Sequence, residues 1–230
     1  MRASEVRAGG PARWLLVGNS RWHWAEGESP QRRYWSEPPA AVPQVQPERW
    51  AAAGAVPQGL DPSRRLQLVD VPLRQAPPWL GVDRALAGYQ AWSLSAAPVL
   101  VADAGTAMSL TWIDSQGRFG GGRLMAGAAL QWRALHGGTA ALPLVAAPPP
   151  SEAQELWPQP TDAALVSGVL QGLAGALQRA AAQLQLQQPG LQLWLTGGDG
   201  AVLHGLLQDP SWRLCPGLCL DGLATVAGLS

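Results

Sequence analysis

Lysine is absent from this chain; all 16 of its Lys+Arg positions are arginine. That absence excludes a phosphate loop of the G-x-x-x-x-G-K-[ST] type, whose lysine reaches the outer phosphates, and any lysine Schiff base. The 16 acidic residues cancel the arginines to a net charge of zero. No basic face for neutralising a nucleic-acid backbone is therefore expected. Cysteine is scarce too, with only Cys215 and Cys219. Their C-x-x-x-C spacing without a nearby histidine reads as two small buried residues rather than half of a metal site. The first 18 residues hold no apolar run of signal-peptide length, and no stretch of about 20 apolar residues marks a membrane span. A reduced, cytoplasmic protein is expected. If it handles phosphate, it must do so with backbone N–H groups, hydroxyls, arginine or a cation.

Of the 230 residues, 47% are apolar, enough for one large domain or two small ones sharing a cleft. The 12 tryptophans accompany high Ala, Gly and Pro and read as compositional bias rather than as stacking platforms. Residues 1–11 form a ragged leader. "RWLLVGNSRWHWAEG" is an apolar strand, a Gly-Asn-Ser turn and a second strand with alternating Trp22 and Trp24, hence a hairpin. Residues 28–47 read as connecting loops, and "WAAAGAVPQ" and "LQLVDVPL" as short strands. "RALAGYQAWSL" has helical spacing. "VLVADAGTAMSLTWID" opens a second strand–turn–strand unit, and "SQGRFGGGRLMAG" continues it as a hairpin with unusual backbone angles. "AALQWRALHGG" is helical, the Pro-rich stretch after it is a loop, and residues 161–187 form the longest helix, with Thr161 and Asp162 as its N-cap. "LQLWLTGGDGAVLHGLL" is a third strand, a glycine turn and a helix.

A weak internal repeat emerges. Three apolar strands end in turns of small and hydroxyl residues: Gly18, Asn19 and Ser20; Gly105, Thr106 and Ala107; Thr196, Gly197 and Gly198. This suggests two related α/β halves whose turns meet on a nucleotide. Taken alone, each turn is equally an ordinary hairpin. Asp103 at a strand end beside backbone amides suits a cation, or else it caps its own turn. Asp83 and Arg84 open a helix after Gly81. They serve either as a cap beside a surface arginine or as a proton acceptor beside an anion-pairing group. His23, His136 and His204 have no second candidate ligand nearby in sequence and read as structural or surface residues.

Together these segments resemble the type III pantothenate kinases of the actin-like, acetate-and-sugar-kinase fold group. "LVGNS" matches most of the first phosphate turn, Asp-x-Gly-Asn-Thr/Ser. "GVDR" at 81–84 matches Gly-x-Asp-Arg, and "DAGTA", twenty residues past Asp83, matches Asp-x-Gly-Thr-Ala. "GRFGGGRLMAG" follows the glycine-rich segment with Ala126 where proline is usual; "TAALP" and the late "TGG" complete the order. The resemblance implies two duplicated ribonuclease-H-like domains, 12–95 and 96–230, around a nucleotide cleft. It also implies ATP-dependent phosphorylation of pantothenate, the first step of coenzyme A biosynthesis. By likeness, Asp83 is the general base, and Gly81, Val82, Asp83, Arg84 and Thr161 bind pantothenate. Gly18, Asn19, Ser20, Thr106, Gly197 and Gly198 bind ATP, with magnesium on the nucleotide. Asp103 holds a monovalent cation, potassium or ammonium, and the protein is a homodimer.

Two positions depart from the pattern. Leu16 stands where the first turn has aspartate, and Thr111 where aspartate is frequent; Asp114 lies further along the strand. The expectation is an active enzyme that relies less on direct protein ligation of magnesium. The alternative is a non-catalytic homologue that binds nucleotide or pantothenate and regulates another process.

Overall fold

The computed structural model describes residues 11–40, 42–145 and 155–229. All of the leader except Pro11, and residues 146–154 of the Pro-rich loop, lie outside the described residues. Two sheets organise the chain. The first contains β1 (Arg13–Val17), β2 (Trp22–Glu26), β3 (Arg33–Glu37) and β4 (Arg49–Ala52), in the order β3-β2-β1-β4. The second contains β5 (Val99–Ala104), β6 (Ala107–Ile113), β7 (Phe119–Ala126), β8 (Gln192–Thr196) and β9 (Trp212–Leu214), in the order β7-β6-β5-β8-β9.

The sheets share one plan. Each has a three-strand antiparallel meander, and the meander's first strand takes a parallel neighbour on its other side: β4 beside β1, β8 beside β5. β9 then adds in parallel beyond β8. In the first sheet a single parallel bridge, Trp50 to Arg65, occupies the corresponding place beyond β4. The repeat read from three turns is thus a repeat of topology: two ribonuclease-H-like halves in the actin-like arrangement.

Strand periodicity decides which side chains meet across the halves. In β1, Trp14 and Leu16 point into a core shared by both sheets, whereas Leu15 and Val17 pack with Trp22, Trp24 and Trp50 on the far side. In β5, Val99 and Val101 face the shared core, and Leu100, Ala102 and Ala104 face away. The shared core is filled by α1 (Val82–Ser95) and α5 (Leu218–Ala227), which contact each other and both sheets. α2 (Ala128–Gly138), α3 (Thr161–Gln185) and α4 (Gly200–Leu207) cover the opposite face of the second sheet. Leu86 of α1 and Leu218 and Leu223 of α5 are fully buried at this junction. Each such side chain contributes roughly 1.5–3 kcal/mol of transfer free energy, which holds the two halves to a common centre.

Several local expectations are corrected. "LQLVDVPL" is not a strand: Leu68–Asp70 is a 3-10 turn in which the Asp70 carboxylate accepts the Gln67 N–H at 2.7 Å, a local bond that displaces ladder pairing. Within the presumed loops of 28–47, Arg33–Glu37 forms edge strand β3, its Trp35 ring stacked on Trp24 at 5.9 Å. Exposure on both faces removed the apolar alternation that marks a strand. At α3 the N-cap is Pro160, and Asp162 accepts only the adjacent Ala163 N–H, at 2.9 Å.

Candidate active site

The β1–β2 and β5–β6 turns come from opposite halves and touch. Ser20 Oγ and Thr106 Oγ1 are 2.8 Å apart, across 86 residues of sequence. The Gly18 N–H closes the first turn onto the Arg21 carbonyl at 3.0 Å. The third turn joins them, because the Asp199 N–H donates to the Ala104 carbonyl at 3.0 Å, beside the second turn. Beneath lies a cavity of about 330 Å³, lined from the first half by Leu16, His23 and Ser36 and from the second by Asp103, Thr196, Gly197 and Gly198. The third turn lines this cavity directly, together with Leu16 and Asp103 from the strands that lead into the first two turns.

Asp103 is the last residue but one of β5 and lies in register with Ser109 of β6 and Thr196 of β8. Gly197, at φ +90, backs its carboxylate; a Cβ there would fall 2.5 Å from Asp103 Oδ1. The turn is bare so that this carboxylate can fit. Burial, and secondarily the negative charge of Asp83, push the Asp103 carboxyl up to about 6. Among the described residues neither Asp103 nor Asp83 forms an ion pair. A desolvated carboxylate with no cationic partner, next to a second carboxylate, has the donor chemistry a monovalent cation requires. No three His, Cys, Asp or Glu side chains among the described residues gather as a dedicated metal cluster.

Asp83 sits in the first turn of α1, where unpaired N–H groups favour negative charge. Arg84 follows it in the same turn, and neither residue lines the cavity itself. Its Nε donates to Thr111 Oγ1 at 3.1 Å, and its guanidinium lies 5.9 Å from the Phe119 ring centre. Gly122 of β7 makes room, since a Cβ there would collide with Arg84 Nη2 and the Leu110 carbonyl. Burial lowers the Arg84 pKa and the Asp83 charge opposes that shift. Thr111, only 1% exposed, is thus an acceptor for Arg84. Asp114 instead closes the β6–β7 turn, accepting the Gln116 and Arg118 N–H groups and pairing with the Arg118 side chain at 2.6 Å.

Both cysteines are free thiols; Cys219 is buried as expected, whereas Cys215 is only half-buried. Cys219 Sγ–H points to the Asp83 carbonyl at 3.5 Å, and burial pushes its thiol well above the ordinary range. One contact was invisible in the sequence. Tyr34 O–H of β3 donates to Asp221 Oδ1 of α5 at 2.6 Å, and Arg32 Nη1 pairs with the same oxygen at 2.5 Å. This clasp joins the two walls across 187 residues, with no local pattern to announce it. Thr161 is exposed at the start of α3, which packs on the face of the second sheet opposite α1. His136 bonds the Leu142 carbonyl and His204 the Trp212 carbonyl, the structural roles expected of them. His23 lines the cavity.

No described helix is long and apolar enough to cross a membrane. A family model described as type III pantothenate kinase matches residues 57–183. A type III pantothenate kinase of Synechococcus elongatus is 38% identical over 93% of this chain and 95% of its own length. One of Gloeobacter violaceus is 36% identical over 85% of this chain and 90% of its own. Among solved structures, a Campylobacter jejuni protein described as a Baf family transcriptional activator superposes with a TM-score of 0.65 at 19% identity. It covers 94% of this chain and 98% of that one, a likeness of fold. On family match and relatives alike, this chain belongs to the type III pantothenate kinase family.

Proposed function

We propose that the cleft transfers the γ-phosphoryl group of ATP to the primary hydroxyl of pantothenate, the entry step of coenzyme A biosynthesis. The observation that carries this reading is the contact of the two phosphate turns at Ser20 and Thr106, with Asp83 and Asp103 close enough to interact. The amides of Asn19 and Ser20 and the Thr106 hydroxyl hold phosphate oxygens, Gly18 shapes the turn through its N–H to the Arg21 carbonyl, and the turn at Gly197 and Gly198 borders the nucleoside. Asp83 accepts the hydroxyl proton as the oxygen attacks phosphorus and ADP leaves. Arg84, steadied by Thr111, pairs with the pantothenate carboxylate while Gly81 and Val82 shape the helix entrance.

Phosphoryl transfer depends on alignment and charge neutralisation more than on covalent help. Without lysine, this chain has turn amides and hydroxyls to offer the phosphates, and Asp103 would hold a potassium or ammonium ion. Magnesium bound with ATP would supply charge neutralisation at its phosphates. The division into 12–95 and 96–230 gives the cleft its two walls.

A homodimer completes the site on this reading. Thr161 would reach pantothenate from a second copy, since α3 and α1 lie on opposite faces of the second sheet. Gly168, Gly172 and Gly175 form an exposed small-residue edge along α3, and Trp157 beside it is 90% exposed. Both features support a helix-mediated contact. A cytoplasmic location follows from the family. The retained Asp83, Arg84, Asp103 and Thr106 favour catalysis over a purely regulatory role.

The test is Asp83→Asn. It should bind pantothenate with near-normal affinity yet lose at least about 100-fold in kcat, the scale of a general base. Turnover within a few-fold of wild type would remove Asp83 from that role.

A further inference from the structure

We infer that His23, on β2 beside the first turn, is a phosphate-binding residue, presenting its Nε2–H to the triphosphate of the bound nucleotide. The inference rests on the reading of the cleft as an ATP site. His23 lies on β2 between Leu16 of β1 and Ser36 of β3, its register partners, so all three share the face that lines the cavity. Leu16 has no polar group to offer there. His23 Nδ1 is engaged by Ser36 Oγ at 2.8 Å, which leaves the other ring nitrogen for the cleft. That nitrogen is turned toward the first phosphate turn: a Cβ placed on Gly18 would lie 3.3 Å from His23 Nε2 and 3.4 Å from Cδ2. Among the described residues Nε2 has no protein hydrogen-bond partner.

The Ser36 contact has a chemical consequence. When the serine hydroxyl donates to Nδ1, the neutral ring carries its proton on Nε2, aimed at the turn; an imidazolium would donate from both nitrogens. Both of these forms give the cleft an N–H donor, and a bound phosphate oxygen selects them over the tautomer in which Nδ1–H donates to Ser36 Oγ. Burial, and then the charge of Arg21, lower the His23 pKa, which favours the neutral ring in the free protein. Arg21, the turn's own cation, is drawn back to the Ser36 carbonyl at 3.0 Å. In a chain without lysine, His23 supplies a side-chain N–H donor from the first wall.

The experiment compares His23→Gln with His23→Asn. The Gln amide nitrogen reaches about as far as Nε2, whereas that of Asn reaches only the Nδ1 position. Dissociation constants are measured for the magnesium complex of β,γ-imido-ATP, for adenosine and for pantothenate. His23→Asn should weaken imido-ATP at least about tenfold, while His23→Gln stays within about threefold. Adenosine and pantothenate should be unaffected in both. Equal affinities in all three proteins, equal losses in both variants, or the reverse ranking would overturn the inference. As a check free of folding effects, imido-ATP is added to wild-type protein carrying ¹⁵N-labelled histidine. One Nε2 resonance should move while those of His136 and His204 stay in place; no movement overturns the inference. Wild-type protein that phosphorylates pantothenate while the variants behave identically rejects the role of His23 alone. Wild-type protein without that turnover rejects the reading of the cleft, and His23 with it.

Discussion

Ser20 and Thr106 share a hydrogen bond of 2.8 Å between hydroxyls that belong to opposite halves of the molecule. One of the two protons is spent on the pair, and the other remains free for a phosphate oxygen. The two residues therefore act as one donor unit rather than as two independent contacts.

A double-mutant cycle follows. Thr106→Val keeps the shape and removes the hydroxyl; with a charged phosphate as acceptor the loss should be about 1.5–3 kcal/mol, or roughly 10–150-fold in kcat/KM for ATP. Ser20→Ala combined with it should be non-additive by at least about 0.5 kcal/mol. Strict additivity would mean that the hydroxyls do not cooperate in binding phosphate.

Asp103 gives a pH prediction. Its carboxyl is raised to about 6 in the folded protein, above the ordinary carboxylate value near 3.8. The folded state therefore holds this proton more tightly than the unfolded state. The stabilisation is fully present below about pH 4 and is lost as pH rises through 6. Two pKa units at 1.36 kcal/mol each amount to about 3 kcal/mol. Urea unfolding in buffer free of potassium and ammonium should show wild type losing about that much, relative to Asp103→Asn, between pH 4 and pH 7.5. Potassium added at pH 7.5 should restore part of it to wild type and none to the variant. Parallel pH profiles would contradict the account.

Gly122 and Arg84 supply a third prediction. Because a Cβ at 122 would overlap Arg84 Nη2 and the Leu110 carbonyl, Gly122→Ala should cost about 1–3 kcal/mol of stability and displace the guanidinium. The KM for pantothenate should rise about tenfold while that for ATP changes little. A rise in the ATP constant alone would separate Arg84 from pantothenate.

Much of this architecture was legible in the chain. The strand-ending Asp103, the helix-opening Asp83 and Arg84, and the three small-residue turns are local patterns; the fold brings the first two turns into contact and lines the cavity with the third. β3 was hidden because an edge strand exposed on both faces carries no alternation. The clasp of Tyr34 and Arg32 on Asp221 was hidden because pairing over such separations depends on the assembled fold. The partner of Thr111 was equally out of reach, since Arg84 arrives from a helix 27 residues earlier. His23 looked structural in a Trp-flanked strand; only the register beside Leu16 and Ser36 turns it toward the cavity.

The most direct test of the central claim is ADP release from ATP by the purified protein, with and without pantothenate, in potassium and in sodium buffer. The account predicts release that requires pantothenate, is supported by potassium or ammonium, and collapses in sodium. Absence of pantothenate-dependent release in every buffer, from protein that still binds pantothenate, would contradict it.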